Sequence, residues 1–130
     1  MKKVLILCLT ILALLTGCGD WDFDGTTGYI DWGGNVDPPS PPDLKSPRNG
    51  AILANGAITL SYYSSYADTY HLQVATDKLF NHVVYNQDTT SWGAQSIGSL
   101  NRSTQYYWRV LAVNYYGSSG WSEVWGFYVI

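Results

Sequence analysis

The sequence predicts an all-β fold, and three observations lead to this class. Aromatic residues make up 15% of the 130-residue chain, with six Trp and eleven Tyr, and flat side chains suit the half-buried surface of a strand. Short runs in the second part of the chain alternate apolar and polar residues, without a helical period. Turn residues separate these runs at intervals suited to a β-sandwich. The length fits one small domain, and a chain that is 46% hydrophobic is too apolar for a disordered protein.

Residues 1–17 are predicted to be a lipoprotein signal peptide and do not belong to the fold. Two lysines precede an apolar run over residues 4–15, which is too short to span a bilayer as a helix of about 20 residues. The following Leu15-Thr16-Gly17-Cys18 resembles the lipobox of bacterial lipoproteins, which implies cleavage before Cys18 and acylation of this residue. Several acyl chains give stable anchoring to a membrane. The alternative is a buried helix with an incidental cysteine, but no polar face interrupts the run.

Removal of the signal peptide changes both the cysteine content and the charge of the chain. Cys8 leaves with the signal and Cys18 carries the anchor, so the exported domain has no disulfide. Without Lys2 and Lys3, five basic residues face ten acidic ones and the formal charge is -5. Nucleic acid is therefore excluded as a partner, because phosphate binding needs a basic surface.

Residues 18–43 are predicted to form a disordered tether behind the lipid anchor. Their composition changes to Gly, Asp, Pro and isolated aromatics, and the segment ends in the run DPPSPPD. Proline lacks an amide donor and has a fixed φ, so this end is expected to be a stiff, extended spacer. Fully extended, the part after the anchor would reach roughly 80 to 90 Å.

Residues 44–130 carry the alternating runs and are predicted to form the folded domain. Alternate side chains of a strand lie on opposite faces of the sheet. Arg109 accordingly falls on the outer face of its strand. The residues predicted to face the core are Ile58, Leu60, Tyr62, Tyr70, Leu72, Val74, Tyr106, Trp108, Val110 and Ala112.

Four runs of this region together resemble a fibronectin type III domain. They are Leu60-Ser61-Tyr62, Tyr70-His71-Leu72-Gln73-Val74, Leu100-Asn101-Arg102-Ser103-Thr104-Gln105-Tyr106 and Ala112-Val113-Asn114-Tyr115-Tyr116-Gly117-Ser118. The resemblance implies that Tyr106 is the tyrosine corner, whose hydroxyl bonds to nearby backbone, and that Tyr62 and Trp108 are structural. Tyr62 stands where a core Trp is usual in that family, and Arg102 where a Pro is usual.

The resemblance also implies a seven-stranded, immunoglobulin-like sandwich. The expected strands A, B, C, C′, E, F and G lie near 43–47, 57–63, 70–76, 83–87, 93–97, 105–114 and 123–129. Because successive antiparallel strands reverse direction, the start of strand A, the B-C loop and the F-G loop are expected at one pole. The tether would arrive at that pole.

The B-C loop (residues 63–68) and the F-G loop (residues 114–121) are rich in Tyr, Ser, Gly and Trp. These residues dominate antibody paratopes, because rigid rings supply contact area at a low entropic cost. The alternative is that the rings fold over the end of the sandwich as part of its core. A protein or a glycan would suit the surface equally well, with Asn114 or Asp68 holding sugar hydroxyls. The candidate ligand-binding residues are Tyr63, Tyr66, Tyr115, Tyr116 and Trp121.

The run Trp121-Ser122-Glu123-Val124-Trp125 partly resembles the tryptophan-serine box of cytokine receptors, in which arginines stack between tryptophan rings. The resemblance implies a cation–π contact between Arg109 and Trp121 or Trp125, worth about 0.5 to 1 kcal/mol if exposed. The second Trp-Ser pair is missing, because Gly126 follows Trp125. We interpret the run as a surface packing feature rather than a sign of receptor function.

The sequence predicts no catalytic residues and no cofactor. His71 and His82 are the two histidines, and both are expected on the surface. Zinc-type Cys and His clusters, a phosphate-binding glycine loop and a pair of carboxylates in a cleft are all missing from the sequence.

A calcium loop is a further possibility in the run DWDFDGTTGYID. Asp20, Asp22, Asp24 and Asp31 match the ligand spacing of such a loop, with Gly25 at its turn. The run follows the lipidated cysteine directly and has no room for the helix that normally precedes the loop. Two other roles compete for it: an acidic sorting or surface-export signal, and an aromatic segment in the lipid headgroup region.

These observations predict a non-catalytic lipoprotein of the bacterial cell envelope, at the outer membrane or the cell surface. It would display one fibronectin type III-like sandwich as a binding or adhesion module for a protein or a glycan. Two alternatives stay open at this point: a structural or assembly subunit of an envelope complex, and a carbohydrate-binding accessory lipoprotein. The oligomeric state is also open.

Overall fold

The computed structural model describes residues 37–90 and 93–130, and this part of the chain is all-β. It contains nine strands: β1 (Asp43–Ser46), β2 (Ala51–Leu53), β3 (Thr59–Tyr63), β4 (Thr69–Ala75), β5 (Val83–Thr89), β6 (Ala94–Ser96), β7 (Thr104–Asn114), β8 (Gly117–Ser118) and β9 (Trp125–Val129). No helix long and apolar enough to cross a bilayer is found within these residues.

The strands form two sheets arranged as a sandwich. One sheet has the order β1-β3-β6, and the other has the order β2-β9-β7-β4-β5, with β8 paired to the end of β7. All pairs are antiparallel except β2 with β9, which is parallel. The seven strands predicted from the sequence correspond to β1, β3, β4, β5, β6, β7 and β9.

Two short strands, β2 and β8, were missed by the sequence prediction. The three residues of β2 are too few to show an alternation, and they are held by pairing with β9, about 76 positions away in the chain. Strand β8 has only two residues, which fold back on Val113 and Asn114 at the end of β7. In both cases the pairing partner, rather than the local pattern, makes the strand.

The core lies between the sheets and contains every residue that the alternation placed there. The ten predicted core residues are between 0% and 6% exposed, and Leu44, Phe127 and Val129 join them. The Tyr62 and Tyr70 rings lie 4.8 Å apart, and Trp108 meets the edge of Trp125 at 6.3 Å. The tyrosine pair therefore links the two sheets, whereas the tryptophan pair joins β7 and β9 within the larger sheet.

Tyr106 forms the corner that the resemblance implied. Its hydroxyl accepts a hydrogen bond from the amide of Asn101 at 3.0 Å and donates to the carbonyl of the same residue at 3.5 Å. The segment that enters β7 is thereby fixed to the strand itself.

Strand pairing brings the two loops and the start of β1 to one end of the sandwich. Asp43 at the start of β1 lies opposite Tyr63 at the end of β3, and Thr69 lies opposite Val113 near the end of β7. The chain therefore enters the domain beside the B-C and F-G loops, as the strand count predicted.

The N-terminal predictions lie outside the described residues. They are the signal peptide, the lipidated Cys18, the tether up to residue 36, and the calcium ligands Asp20, Asp22, Asp24 and Asp31.

Candidate binding surface

The surface formed by residues 63–68 and 114–120 is called the loop pole below. Three of its tyrosine side chains are more than half exposed: Tyr63 at 58%, Tyr66 at 63% and Tyr115 at 70%. Tyr116 is half-buried, and its ring meets the edge of the Tyr115 ring at a centroid distance of 5.5 Å. Four of the five predicted ligand-binding residues therefore share one surface.

Tyr66 is held in an unusual backbone conformation at the tip of the B-C loop. Its φ of 62° lies in the left-handed region, which bulky residues seldom adopt. The Asn114 side-chain amide donates to the carbonyl of Tyr66 at 3.1 Å. Asp68 fixes the end of the B-C loop, because its backbone amide donates to the carbonyl of Val113 at 2.9 Å. These bonds hold a strained residue in place.

The side chain of Asn114 forms three hydrogen bonds with other groups of the protein. Besides Tyr66, its side-chain amide donates to the carbonyl of Asp37 at 3.1 Å, and its Oδ1 accepts from the amide of Tyr116 at 2.9 Å. The proposed role of Asn114 in holding sugar hydroxyls therefore does not fit the structure.

Residues 37–42, which the sequence assigned to the tether, lie against the loop pole. Ser64 Oγ donates to the carbonyl of Ser40 at 2.6 Å. Pro39 and Pro42 are buried, and a Cβ at Gly117 would stand 3.4 Å from the Pro38 ring. We call this stretch the docked segment; it gives the last part of the tether a fixed path over the sandwich.

A cavity of about 460 Å³ opens beside the B-C loop. Its lining residues are Tyr63, Ser64, Tyr66, Ala67, Tyr70 and Gly93. Tyr70 forms its buried side, and its hydroxyl donates to the carbonyl of Ser64 at 3.4 Å. None of these six described side chains carries a formal charge.

Trp121 lies away from the other four candidates, on the outer face of the larger sheet. Its ring covers one face of the Arg109 guanidinium at 4.0 Å, and Phe80 covers the other face at the same distance. The predicted cation–π contact is therefore present with Trp121, whereas Trp125 packs on Trp108. Burial under the two rings lowers the pKa of Arg109.

A hydrogen-bonded network continues from Arg109 across this face. Arg109 donates from Nε and Nη2 to Gln73 Oε1 at 3.0 and 2.8 Å, and Gln73 Nε2 donates to Asn86 Oδ1 at 3.1 Å. His71 Nε2 lies 2.7 Å from the same Asn86 oxygen, and His71 Nδ1 lies 2.5 Å from Asp88 Oδ1. The network joins β7, β4 and β5.

The end of the F-G loop is attached to β7 by serine side chains. Ser119 Oγ accepts from the amide of Ala112 at 2.8 Å, and Ser122 Oγ accepts from the amide of Val110 at 3.0 Å. The backbone amides of both serines donate to carbonyls of the same two β7 residues. Because hydroxyls take the place of backbone carbonyls here, β9 begins at Trp125 rather than at the predicted residue 123.

Comparison with known proteins gave structural matches only. No family model matches the sequence, and the search of curated proteins gave no significant match. An Fn3-like protein from Clostridium thermocellum matches 72% of this chain and 96% of its own, with 16% identity and a TM-score of 0.55. A crystal structure of an engineered protein matches 68% of this chain with 18% identity and a TM-score of 0.54, and the chain spans only 20% of that protein.

The strand order, the tyrosine corner and the first of these matches agree. The described domain has the fibronectin type III fold. Fibronectin type III domains are typically non-catalytic modules, and binding by such scaffolds is commonly carried by loops set on a rigid sandwich.

The fibronectin type III sandwich has a second cleft, which sequence reasoning missed. It measures about 520 Å³ and lies between the start of β1 and the segment before β9. Its lining is Pro41, Pro42, Asp43, Leu44, Lys45, Trp121, Ser122, Glu123 and Trp125. Trp125 Nε1 donates to Glu123 Oε2 at 3.3 Å, and Lys45 lies 3.7 Å from Asp43. Contacts within the protein thus already occupy much of the polar lining of this cleft.

Within the described residues, no group of three or more His, Cys, Asp or Glu side chains could hold a metal ion. His82 is largely exposed and lies 3.7 Å from Asp77. Backbone amides of His82 and Asn81 donate to the Asp77 carboxylate and lower its pKa. This arrangement shapes the turn between β4 and β5.

Two features of the site were not predicted from the sequence, because each depends on a contact between residues that are distant in the chain. Phe80 follows the turn at Asp77, and its backbone φ is 57°. This conformation brings its ring to the guanidinium of Arg109. The docked segment depends on Asn114, which lies 77 residues beyond Asp37. The prolines were a visible signal of an extended segment, but not of the surface that receives it.

Proposed function

We propose that this chain is a lipid-anchored, non-catalytic binding or adhesion module of the bacterial cell envelope, at the outer membrane or the cell surface. Its recognition surface is the loop pole. The observation that carries the proposal is the presentation of Tyr63, Tyr66 and Tyr115, each more than half exposed, on loops fixed to the sandwich.

The fixed loops support a recognition role for these rings. A tyrosine offers a large amphipathic contact area and loses little rotamer freedom on binding. The hydrogen bonds of Asn114, Asp68 and Ser119 already order both loops before any ligand arrives. Preorganisation of this kind lowers the entropic cost of association.

Replacing Tyr66, Tyr115 and Tyr116 by Ser tests the recognition surface. We expect this triple variant to lose binding to immobilised envelope preparations while retaining the circular dichroism spectrum of the parent. A matched control replaces Ile52 and Leu79 by Ser, since these side chains are 69% and 81% exposed but lie away from the loop pole. Equal binding by the triple variant and the parent would rule out the loop pole.

The lipid anchor is tested separately through the two cysteines. We expect Cys18→Ala to abolish incorporation of a labelled palmitate precursor and to release the protein from the membrane fraction. Cys8→Ala is the control, because this residue leaves with the predicted signal peptide, and its incorporation should match the parent. Labelling of the Cys18→Ala variant would contradict the anchor.

An assembly subunit is the second candidate, and the edge strand β5 favours it. Within the described residues β5 pairs only with β4, and Val83 and Val84 are 38% and 51% exposed. An unpaired strand edge with apolar side chains is a template for pairing with another chain. We expect Val84→Lys to break such an assembly in size-exclusion chromatography, whereas the loop variant would leave it intact.

A further inference from the structure

We propose that the cavity beside the B-C loop binds a neutral pyranose ring of a glycan. This inference rests on the proposed function and names the ligand class for one part of the loop pole. It is carried by the shape of the cavity, the chemistry of its lining and the rigidity of its rim.

The cavity has the dimensions of a small-ligand site. Its volume of about 460 Å³ falls within the range of roughly 300 to 1,000 Å³ that is usual for such sites. Tyr63 and Tyr66 stand at its rim, and Tyr70 closes its buried side. A pyranose ring can thus enter between the tyrosine side chains instead of lying on an open surface.

The lining matches a ligand that has apolar faces and hydroxyl edges. Among the residues that the structure describes, this lining contains no charged side chain, which disfavours phosphate and carboxylate ligands. The polar groups at its floor are already used, because Ser64 Oγ donates to Ser40 and the Tyr70 hydroxyl donates to Ser64. The phenol groups at the rim both donate and accept hydrogen bonds, as sugar hydroxyls do, while the C–H face of a pyranose packs on an aromatic ring.

A proline-rich peptide fits this cavity less well than a sugar. Where the protein holds its own docked segment, side-chain donors of Ser64 and Asn114 bind the carbonyls of Ser40 and Asp37. Both donors are consumed by that contact, and neither faces the cavity as a free group. Among the side chains described for this lining, the phenol hydroxyls at the rim are then the donors left for a peptide carbonyl.

The rim is rigid, which suits a shallow site for a weakly binding sugar. Tyr66 is kept at a φ of 62° by Asn114, and strained residues of this kind tend to occur at functional sites. Gly93 lines the opposite wall at a φ of 79°, where an added Cβ would stand only 3.1 Å from the carbonyl of Tyr62. A side chain at this position would close the wall against β3.

The test is an NMR titration and isothermal calorimetry of the full lipidated chain in detergent micelles. The probes are cellohexaose, maltohexaose and chitohexaose, three neutral oligosaccharides of different linkage or substitution. We expect at least one to bind, and we expect Tyr66→Ala and Tyr63→Ala each to weaken this binding by about tenfold or more. The control Leu79→Ala removes a side chain that is 81% exposed and lies away from the loop pole, and its affinity should stay within about twofold of the parent.

A second pair of variants guards against misfolding. Tyr63→Phe and Tyr66→Phe keep the rings and remove only the hydroxyls, so they should fold like the parent and bind with an intermediate loss. Failure of all three probes to bind would overturn the proposal, as would undiminished binding by Tyr66→Ala. Binding of the peptide DPPSPP without any oligosaccharide would overturn it in favour of a peptide site.

The same experiments separate this inference from the proposed function. Failure of the parent protein to bind any of the oligosaccharides, together with envelope binding that the triple tyrosine replacement abolishes, would overturn the sugar site alone. Envelope binding that survives the triple tyrosine replacement would overturn the proposed function, whatever the oligosaccharides do.

Discussion

Arg109 shows how one cation can organise an exposed sheet face. Its guanidinium is covered on both planes by Phe80 and Trp121, and its donors are directed to Gln73. A planar guanidinium stacks in this way, whereas the ammonium of a lysine does not. The stack connects the F-G loop to the turn after β4 through a single side chain.

Replacing Arg109 by Lys should therefore lower the free energy of unfolding by about 1 kcal/mol, because the two ring contacts and the paired donors are lost together. Urea unfolding of the purified domain measures this change. Arg102→Lys is the control, since Arg102 is exposed and makes no ring contact in the described structure. Equal effects of the two substitutions would contradict the stacking role.

The network at His71 determines which atoms carry protons. Arginine only donates, so Gln73 must present its oxygen to Arg109 and its amide nitrogen to Asn86. The Asn86 oxygen then also faces His71 Nε2, and the Asp88 carboxylate faces Nδ1. Both ring nitrogens must therefore donate for the network to be complete.

The same geometry predicts which ring nitrogen carries the proton in a neutral His71. The proton on Nδ1 should be retained, because a hydrogen bond to a carboxylate is the stronger of the two, and the contact with Asn86 should be lost. Nitrogen-15 spectra of the imidazole at alkaline pH check this outcome, with the largely exposed His82 as the internal comparison. A neutral His71 protonated on Nε2 would contradict the assignment.

The buried phenol of Tyr62 is expected to make the folded domain less stable at alkaline pH. Burial raises the pKa of Tyr62 from 10.0 to about 12. Between these two values the unfolded chain releases the phenol proton and the folded chain keeps it, so stability falls as the pH rises from about 10 to about 12. The loss should amount to about 2 to 3 kcal/mol over this window.

Urea unfolding at a series of alkaline pH values measures this loss. Tyr62→Phe should flatten the decline across the window, since the titrating group is gone. Tyr115→Phe removes a phenol that is 70% exposed and should leave the decline unchanged. A decline that persists in Tyr62→Phe would assign it to another group.

At the scale of elements, serine hydroxyls order the part of the F-G loop that follows β8. Ser122 is 8% exposed and its Oγ satisfies the amide of Val110. Removing one partner of a buried hydrogen bond leaves the other without compensation, which costs about 1 to 3 kcal/mol.

Ser122→Ala should therefore destabilise the domain by this amount and raise the hydrogen exchange rate of the Val110 amide. Ser118→Ala is the control, because this residue is exposed and lies in the same segment. Unchanged exchange at Val110 in the first variant would show that the hydroxyl is not the effective acceptor.

The same elements show what a sequence can and cannot predict. The alternation of β3, β4 and β7 is a local property with a period of two, so it placed Leu60, Leu72 and Val110 in the core correctly. The Tyr106 corner was also predicted, because both of its partners lie within five residues. By contrast, β2 and the late start of β9 depend on partners distant in the chain, and no local pattern encodes them.

Tyr63, Tyr66, Tyr115 and Tyr116 lie together at one surface, whereas Trp121 lies on the outer face of the larger sheet. Loop composition indicated which residues would be solvent-accessible, but the position of Trp121 follows from its contact with Arg109 and Phe80. The cavity was also unpredictable, since its walls come from β3, the B-C loop and Gly93. Sites made from separate segments require the fold itself.

At the scale of the whole molecule, the docked segment extends the stable unit toward the N-terminus. A fragment of residues 37–130 should be more stable to urea than a fragment of residues 44–130, by roughly 1 to 3 kcal/mol, because it keeps the Ser64 hydrogen bond and the two buried prolines.

A double-mutant cycle tests whether the hydrogen bond between Ser64 and Ser40 accounts for this difference in stability. Ser64→Ala should destabilise the longer fragment and have a much smaller effect on the shorter one, which lacks Ser40. Equal effects in both fragments would mean that the segment contributes nothing through this bond.

The docked segment also sets the direction in which the tyrosines face. Asp37 leaves the sandwich at the end that carries Tyr66, tied to it through Asn114. With an anchor at Cys18 as proposed, the 18 intervening residues span roughly 60 Å at most. The tether would then leave the sandwich beside its tyrosines, so the length of the tether would set the room for a partner between the loop pole and the bilayer.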